Sequence, residues 1–277
     1  LAKIKDATVF AAANDRGTAR VVDNKAVRCG YPTFVFDVTS AYTHAVENDL
    51  VYFEPPWEWV EKHGDCLWWS RMKVYGRRDG ARSWQDHFVD LTKSEVAKAA
   101  GFTVRQCPKA PTIFYIEEFD GVLELHVVDG HGTGDPAGAR KFMLFLEKHL
   151  VMKWVDGLHE GDSYEYLRAT KARTPEGLWT FANPRYIRSA LEKMDMQICN
   201  PCVSPKVEKE IEPGDDDALS LPEQKLYRSV VCLLLYLAQE RFDIQSTTRM
   251  LCQDLTAGTN KNMRQLKKLC RYLQRTK

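Results

Sequence analysis

The sequence predicts an α+β fold, an antiparallel sheet with helices, from three observations. Thr112 to Glu118 is a β-branched and aromatic run, Asp120 and Gly121 form a turn pair, and Val122 to Val128 is a second run of alternating polarity, which is the pattern of a β-hairpin. Thr33 to Val38 is a further apolar strand with Asp37 near its end. Helical spacing of apolar residues runs over Ser83 to Ala100, and Pro222 to Ala238 and Asn260 to Arg275 are strongly helical.

Composition sets the outer limits. The 277 residues are 44% hydrophobic and 28% charged, enough for a sizeable core or two subdomains. No apolar run approaches about 18 residues and the first residues are not a signal peptide, so the expectation is an intracellular chain, neither secreted nor membrane-inserted. A start at Leu1 instead of Met suggests a piece of something longer. Eight cysteines without a disulfide framework fit reduced thiols. A net charge of +1 leaves a nucleic-acid partner only a local basic patch to bind.

Leu1 to Tyr31 shows a short apolar piece at Val9 and Phe10, then a charged, Gly-containing loop. Thr39 to Asn48 can form a helix after the Asp37 strand. Tyr52 to Pro56 with Trp57, Trp59, Trp68 and Trp69 makes an aromatic, Pro-containing region. In the hairpin, a period of two points Leu123, Leu125 and Val127 into a core and Glu124, His126 and Val128 the other way. Asp129 and Gly130 then turn the chain and leave one carboxylate at the tip. Pro136 opens a helix with the stripe Phe142, Phe145, Leu146, Leu150. Lys153 to Arg173 and Gly177 to Phe181 read as a strand pair, and Asn183 or Pro184 opens a helix to about Met196. Val207 to Leu221, with Glu208, Glu210, Glu212, Asp215, Asp216 and Asp217, has the composition of a solvated linker.

These stretches carry a resemblance. Phe36 to Tyr42 is similar to the D-V-K-T-A-F/Y block of Ty1/copia-type retrotransposon polymerases, Val51 to Pro56 to their V-Y-M-E-Q-P-P, and Tyr75 to Trp84 to their Y-G-L-K-Q-A-P-R-A-W. Pro111 to Tyr115, Asn183 to Pro205, Tyr227 to Ala238, Arg241 to Ile244 and Arg271 to Leu273 resemble further blocks in the family's order. The resemblance implies a right-hand polymerase: a fingers remnant over 1–35, a palm with an inserted fingers region over 36–182, a connecting helix and acidic linker over 183–221, and a helical thumb over 222–277. It also implies a longer polyprotein that adds dNTPs to a primer on an RNA or DNA template.

The departure falls at the family's paired aspartates, Y-V-D-D. Overlaid on His126 to Asp129, the motif has Val128 in place of its first aspartate; overlaid on Val127 to Gly130, it keeps Asp129 and loses the second to Gly130. The first overlay keeps the upstream apolar run in step, and in both one carboxylate is missing. The family's basic fingers segment is not visible in Leu1 to Tyr31, and Leu167 is followed by Arg168 where the family has Gly.

Phosphoryl transfer to a 3′ hydroxyl uses two Mg²⁺ ions about 3.5 to 4 Å apart, held by carboxylates on adjacent strands. By resemblance Asp37 and Asp129 are the catalytic, metal-holding residues; taken alone, they are a capping Asp and a turn Asp. By resemblance Tyr42 packs under the nucleotide sugar, and alone it is a buried helix aromatic. Arg77, Arg78 and Arg82 would meet nucleotide or template phosphates, or form a solvated helix entry. By resemblance Tyr166, Leu167 and Arg168 stand in the stretch that in the family grips the primer end. On the last helix Arg264, Lys267, Lys268 and Arg271, with Arg275, share a face suited to duplex phosphates or to water. Cys199 with Cys202 and His63 with Cys66 are lone pairs, and zinc needs about four ligands, so both read as structural. Gly130, Gly132 and Gly134 are not a phosphate loop, and His126 and His131 read as exposed hairpin-tip histidines. With one carboxylate missing, the expectation is an inactive or severely impaired copy; its rivals are a non-catalytic nucleic-acid binding module and a decayed remnant.

Overall fold

A computed structural model describes residues 11–12, 16–155, 157, 161–167, 169–205 and 213–276. Val9, Phe10, Arg168, Glu208, Glu210 and Glu212 lie outside the described residues. The chain divides into two compact units, Leu1–Asp162 with Arg173–Leu178, and Ser163–Ala172 with Trp179–Lys277. The α+β class and the antiparallel pairing expected from the sequence are both present.

In the first unit the elements are α1 (Arg16–Cys29), β1 (Thr33–Val38), a 3₁₀ turn (Ala41–His44), β2 (Tyr52–Phe53), α2 (Trp57–His63), β3 (Trp68–Trp69), α3 (Gly80–Lys93), α4 (Glu95–Ala99), β4 (Val104–Cys107), β5 (Ala110–Ile116), β6 (Gly121–His126), β7 (Asp129–Thr133), α5 (Pro136–His149) and β8 (Met152–Val155). Six of the strands form one sheet in the order β4-β5-β6-β7-β1-β8, antiparallel at every step. One face carries Phe34, Phe36, Phe114, Leu123 and Leu125 against Trp84 and Phe88 of α3 and Phe142 and Leu146 of α5. The glycines of β7 make this packing possible. Gly132 pairs with Phe34 and Gly130 with Phe36, and a Cβ would lie 2.3 Å and 2.1 Å from those rings. The aromatic rings therefore lie across bare backbone.

The opposite face is covered by α1, which packs on β6, β7 and β1 and buries Ala19, Val22 and Ala26. The stretch expected to be a charged loop is thus a helix from residue 16 onward, whose apolar face is too small to show in the sequence. Thr39 to Asn48, expected as a helix, supplies only the 3₁₀ turn. The helix expected over Ser83 to Ala100 is two, because the Ser94 hydroxyl donates to the Leu91 carbonyl (2.7 Å) and accepts from the Ala97 N–H (3.1 Å). Pro136 opens α5 as expected, with the Asp135 carboxylate accepting from the Gly138 N–H at 3.0 Å.

The hairpin turns at Val127 and Val128, two residues before the expected Asp-Gly turn. Val127 is 41% exposed, whereas Val128 packs against the core, the reverse of the expected alternation. Glu124, on the face expected to be polar and open, is buried beneath α1.

Beyond β8, which joins the large sheet, β9 (Ser163–Tyr166), β10 (Ala169–Thr174) and β11 (Gly177–Ala182) form a three-stranded sheet in the order β11-β10-β9. The helices of the second unit are α6 (Arg185–Lys193), α7 (Leu221–Leu237), α8 (Phe242–Gln253) and α9 (Asn260–Arg275), around a core that includes Ile187, Leu191, Val231, Leu234, Leu266 and Leu273. At the start of α7 the Glu223 carboxylate accepts from the Ser220 N–H (3.0 Å) and hydroxyl (2.6 Å). All eight cysteines are free thiols. Among the described residues no helix is long and apolar enough to cross a membrane.

Candidate functional site

Alternation along β1 sends Phe34, Phe36 and Val38 into the core and leaves Asp37 on the other face, exposed. In register, Asp37 stands opposite Asp129 of β7 and Lys153 of β8, and Asp129 stands opposite His126 of β6. Cross-strand partners share a face. Lys153, Asp37, Asp129 and His126 therefore form one row over four neighbouring strands, at the end of the sheet where β1 stops. Burial, and secondarily the Asp37 charge, push the Asp129 carboxyl above its usual range, with His126 acting the other way. Lys153 was not expected in this row: nothing local in a strand's sequence tells which neighbour it pairs with.

One row further in, His131 stands opposite Glu124. It is not an exposed hairpin-tip residue but fully buried, with Nε2 3.7 Å from Asp23 of α1 and Nδ1 3.9 Å from Glu124. The turn that sets this row is itself unusual, since Val127 holds φ 57°, a region β-branched residues avoid. The buried Trp84 indole donates to the Val127 carbonyl at 2.6 Å and so fastens the turn to α3. Trp84 stands at the end of the Tyr75 to Trp84 block, a role the sequence did not reveal.

Tyr42 stacks on Tyr75 with ring centroids 4.8 Å apart. It also lies over Gly80 at the start of α3, where a Cβ would come within 3.0 Å of its ring. The three arginines expected at phosphates separate. Arg77 is taken up by carboxylates, with its Nε 2.9 Å from Glu47 and a terminal nitrogen 2.5 Å from Asp49. Arg82 pairs with Asp86 at 2.8 Å, and Arg78 is exposed. The Lys73 ammonium, buried, bridges Glu47 (2.6 Å) and Asp79 (2.5 Å). Burial raises the Glu47 carboxyl, but hydrogen bonds from Lys73 and the Asp49 amide, with the charges of Lys73 and Arg77, more than offset this and hold it below its usual range. Among the described residues Glu47, Asp49 and Asp79 are the group whose ligand atoms lie close enough to hold a metal, all within 4.8 Å. Lys73 and Arg77 already meet that negative charge.

In the second unit Tyr166 is buried, and the Leu167 carbonyl accepts from the Tyr236 hydroxyl at 2.7 Å. Arg264, Lys267, Lys268 and Arg271 of α9 line a cavity of about 590 Å³ together with residues 202–204. Arg264 pairs with Asp215 (2.6 Å), Arg271 donates to the Asn200 carbonyl (2.6 Å), and Lys267 is exposed. The Cys202 thiol donates to the Ser204 and Lys268 carbonyls at 3.4 Å, in keeping with a structural C-x-x-C.

Over 261 residues, 93% of its length, the chain is 25% identical to "Retrovirus-related Pol polyprotein from transposon RE2" of Arabidopsis thaliana. Over 265 residues, again 93% of its length, it is 25% identical to the corresponding polyprotein from transposon RE1 of the same plant. It spans 17% of each of these relatives. No family model and no solved structure matches. The likeness to copia-type retrotransposon polyproteins that the motif blocks carry therefore extends over nearly the whole chain.

Proposed function

We propose that the chain is a reverse transcriptase-like domain of a copia-type retroelement, with its palm over 36–182 and its thumb over 222–277, in which nucleotide addition is severely impaired. The observation that supports this reading is the Asp37–Asp129 pair, in register on adjacent strands of a sheet whose sequence blocks are similar to those of retrotransposon Pol polyproteins. Two opposed carboxylates, one of them raised by partial burial and then by the charge of the other, suit a divalent cation held by oxygen ligands. Asp37 and Asp129 would hold Mg²⁺, which when bound would activate the primer hydroxyl and brace the triphosphate. Tyr42 would support the sugar, Arg78 would meet phosphate, Leu167, next to the buried Tyr166, would stand at the primer end, and α9 would follow the duplex.

Impairment follows from the donor count. At the position preceding Asp129 the side chain is the Val128 isopropyl group, packed against the core. Two close dications on two aspartates stay under-neutralised, and a misplaced reacting oxygen costs heavily in rate. The test is primer extension on an RNA template with Mg²⁺, comparing the chain with Val128→Asp. The expected result is extension by the substituted chain alone. Normal extension by the unsubstituted chain overturns the claim of impairment, and extension by neither favours the second reading. That second reading is a non-catalytic nucleic-acid binding module, and the basic cavity along α9 favours it.

A further inference from the structure

We infer that the α2 region is a docking site for a cationic protein segment, one that presents Arg or Lys beside an apolar residue. It is independent of the aspartate row and of α9. The helix α2 buries none of its residues. Around it Trp57 is 69% exposed, Leu67 62% and Trp69 54%, a concentration of apolar surface well beyond the scattered apolar residues of an ordinary exterior. The neighbouring rings of Trp59, Trp68 and Trp69 are nevertheless held in place. Trp59 stacks on His63 with centroids 4.0 Å apart and meets Trp68 edge-on at 5.5 Å, while the Arg71 guanidinium sits 5.5 Å from the centre of the Trp69 ring.

Charge identifies the occupant. A cavity of about 810 Å³ beside Trp57, Val60 and Leu67 is bordered by the carboxylates of Glu54, Glu61 and Asp65, and no Lys, Arg or His is among the described residues that line it. Three carboxylates around an apolar floor repel a phosphate backbone and an anionic lipid surface alike. They suit a side chain with an apolar stem and a cationic head, the stem lying on Trp57 and Leu67 and the head meeting carboxylate. Arg suits the site best, because its planar guanidinium both stacks on indole and pairs bidentately with carboxylate.

The test uses the full chain and a fluorescein-labelled, end-blocked octapeptide of alternating Arg and Leu, with a Glu-for-Arg counterpart, read by anisotropy. Saturable binding of the Arg peptide with Kd below about 1 mM is expected, with none for the Glu peptide. Glu61→Gln with Asp65→Asn, and separately Trp57→Ala, should each weaken binding roughly tenfold with an unchanged circular dichroism spectrum. Asp90→Asn, away from the cavity, should leave it unchanged. The proposal is overturned by a lack of saturable binding, by equal binding of the two peptides, or by unchanged affinity in both α2 variants. It is likewise overturned if phosphatidylserine vesicles or a single-stranded oligonucleotide bind this face instead, with the α2 variants weakening that binding.

Discussion

At neutral pH the Asp129 carboxylate sits partly buried opposite Asp37, so its ionisation opposes folding through lost hydration and then through like charge. A carboxyl whose pKa is raised by folding destabilises the fold while ionised. That penalty is full above the folded-state pKa and disappears below the unfolded value. Asp129→Asn should therefore raise the denaturation midpoint at pH 7, by less than about 1 kcal/mol in stability given the partial exposure. The gain should shrink as pH falls through the carboxylate range. Urea titrations at pH 7 and pH 3 check this, and an equal gain at both would show that charge is not the cause. Millimolar Mg²⁺ should stabilise the parent chain more than Asp129→Asn, because a cation bound by the pair acts only on the folded state.

Strands β1 and β7 are joined by a packing device that can be tested at the level of the element. Gly132→Ala would place a Cβ 2.3 Å from the Phe34 ring, which must then leave its rotamer or push the sheet apart. A loss of about 1 to 3 kcal/mol is expected in denaturant unfolding. Phe34→Leu in the same chain should recover part of it, since the two sites are cross-strand neighbours. Additive losses would mean that the ring and the glycine do not interact. The same device explains why the hairpin was only partly legible. Asp129 and Gly130 look like a turn by residue preference, but Gly130 is needed in the strand to receive Phe36, and the turn is displaced onto Val127 and Val128, where Trp84 holds it. Helices with bulky apolar stripes were legible: α9 occupies the predicted Asn260 to Arg275 span and α5 begins at Pro136. Helix α1 was not, because among the described residues it buries only Ala19, Val22 and Ala26, which give a weak periodic signal. For the row of charged residues, Asp37 and Asp129 stood out by motif. Lys153 depends on long-range register, which no local pattern encodes.

For the whole chain, 39 basic and 38 acidic residues leave a net charge of +1, so long-range attraction to a polyanion is weak and binding must rest on a concentration of cations. Two groups of acids stand out, Glu54, Glu61 and Asp65 around α2 and the Glu47–Asp49–Asp79 cluster, where Lys73 and Arg77 are also consumed. Along α9, Arg264 and Arg271 already have partners in Asp215 and the Asn200 carbonyl, while Lys267 is exposed beside Lys268 at the cavity rim. Each phosphate neutralised on B-form DNA contributes about 0.9 to the slope of log affinity against log salt. Lys267→Ala with Lys268→Ala should therefore lower that slope by about 2 and weaken binding to a primer–template duplex uniformly across sequences. The measurement is duplex affinity from 50 to 200 mM salt. An unchanged slope would move the phosphate contacts off α9, and with them the support for reading this helix as the part that holds the duplex. A reduced slope in a chain that still fails to extend a primer would separate holding nucleic acid from copying it, and place the loss at the aspartate row.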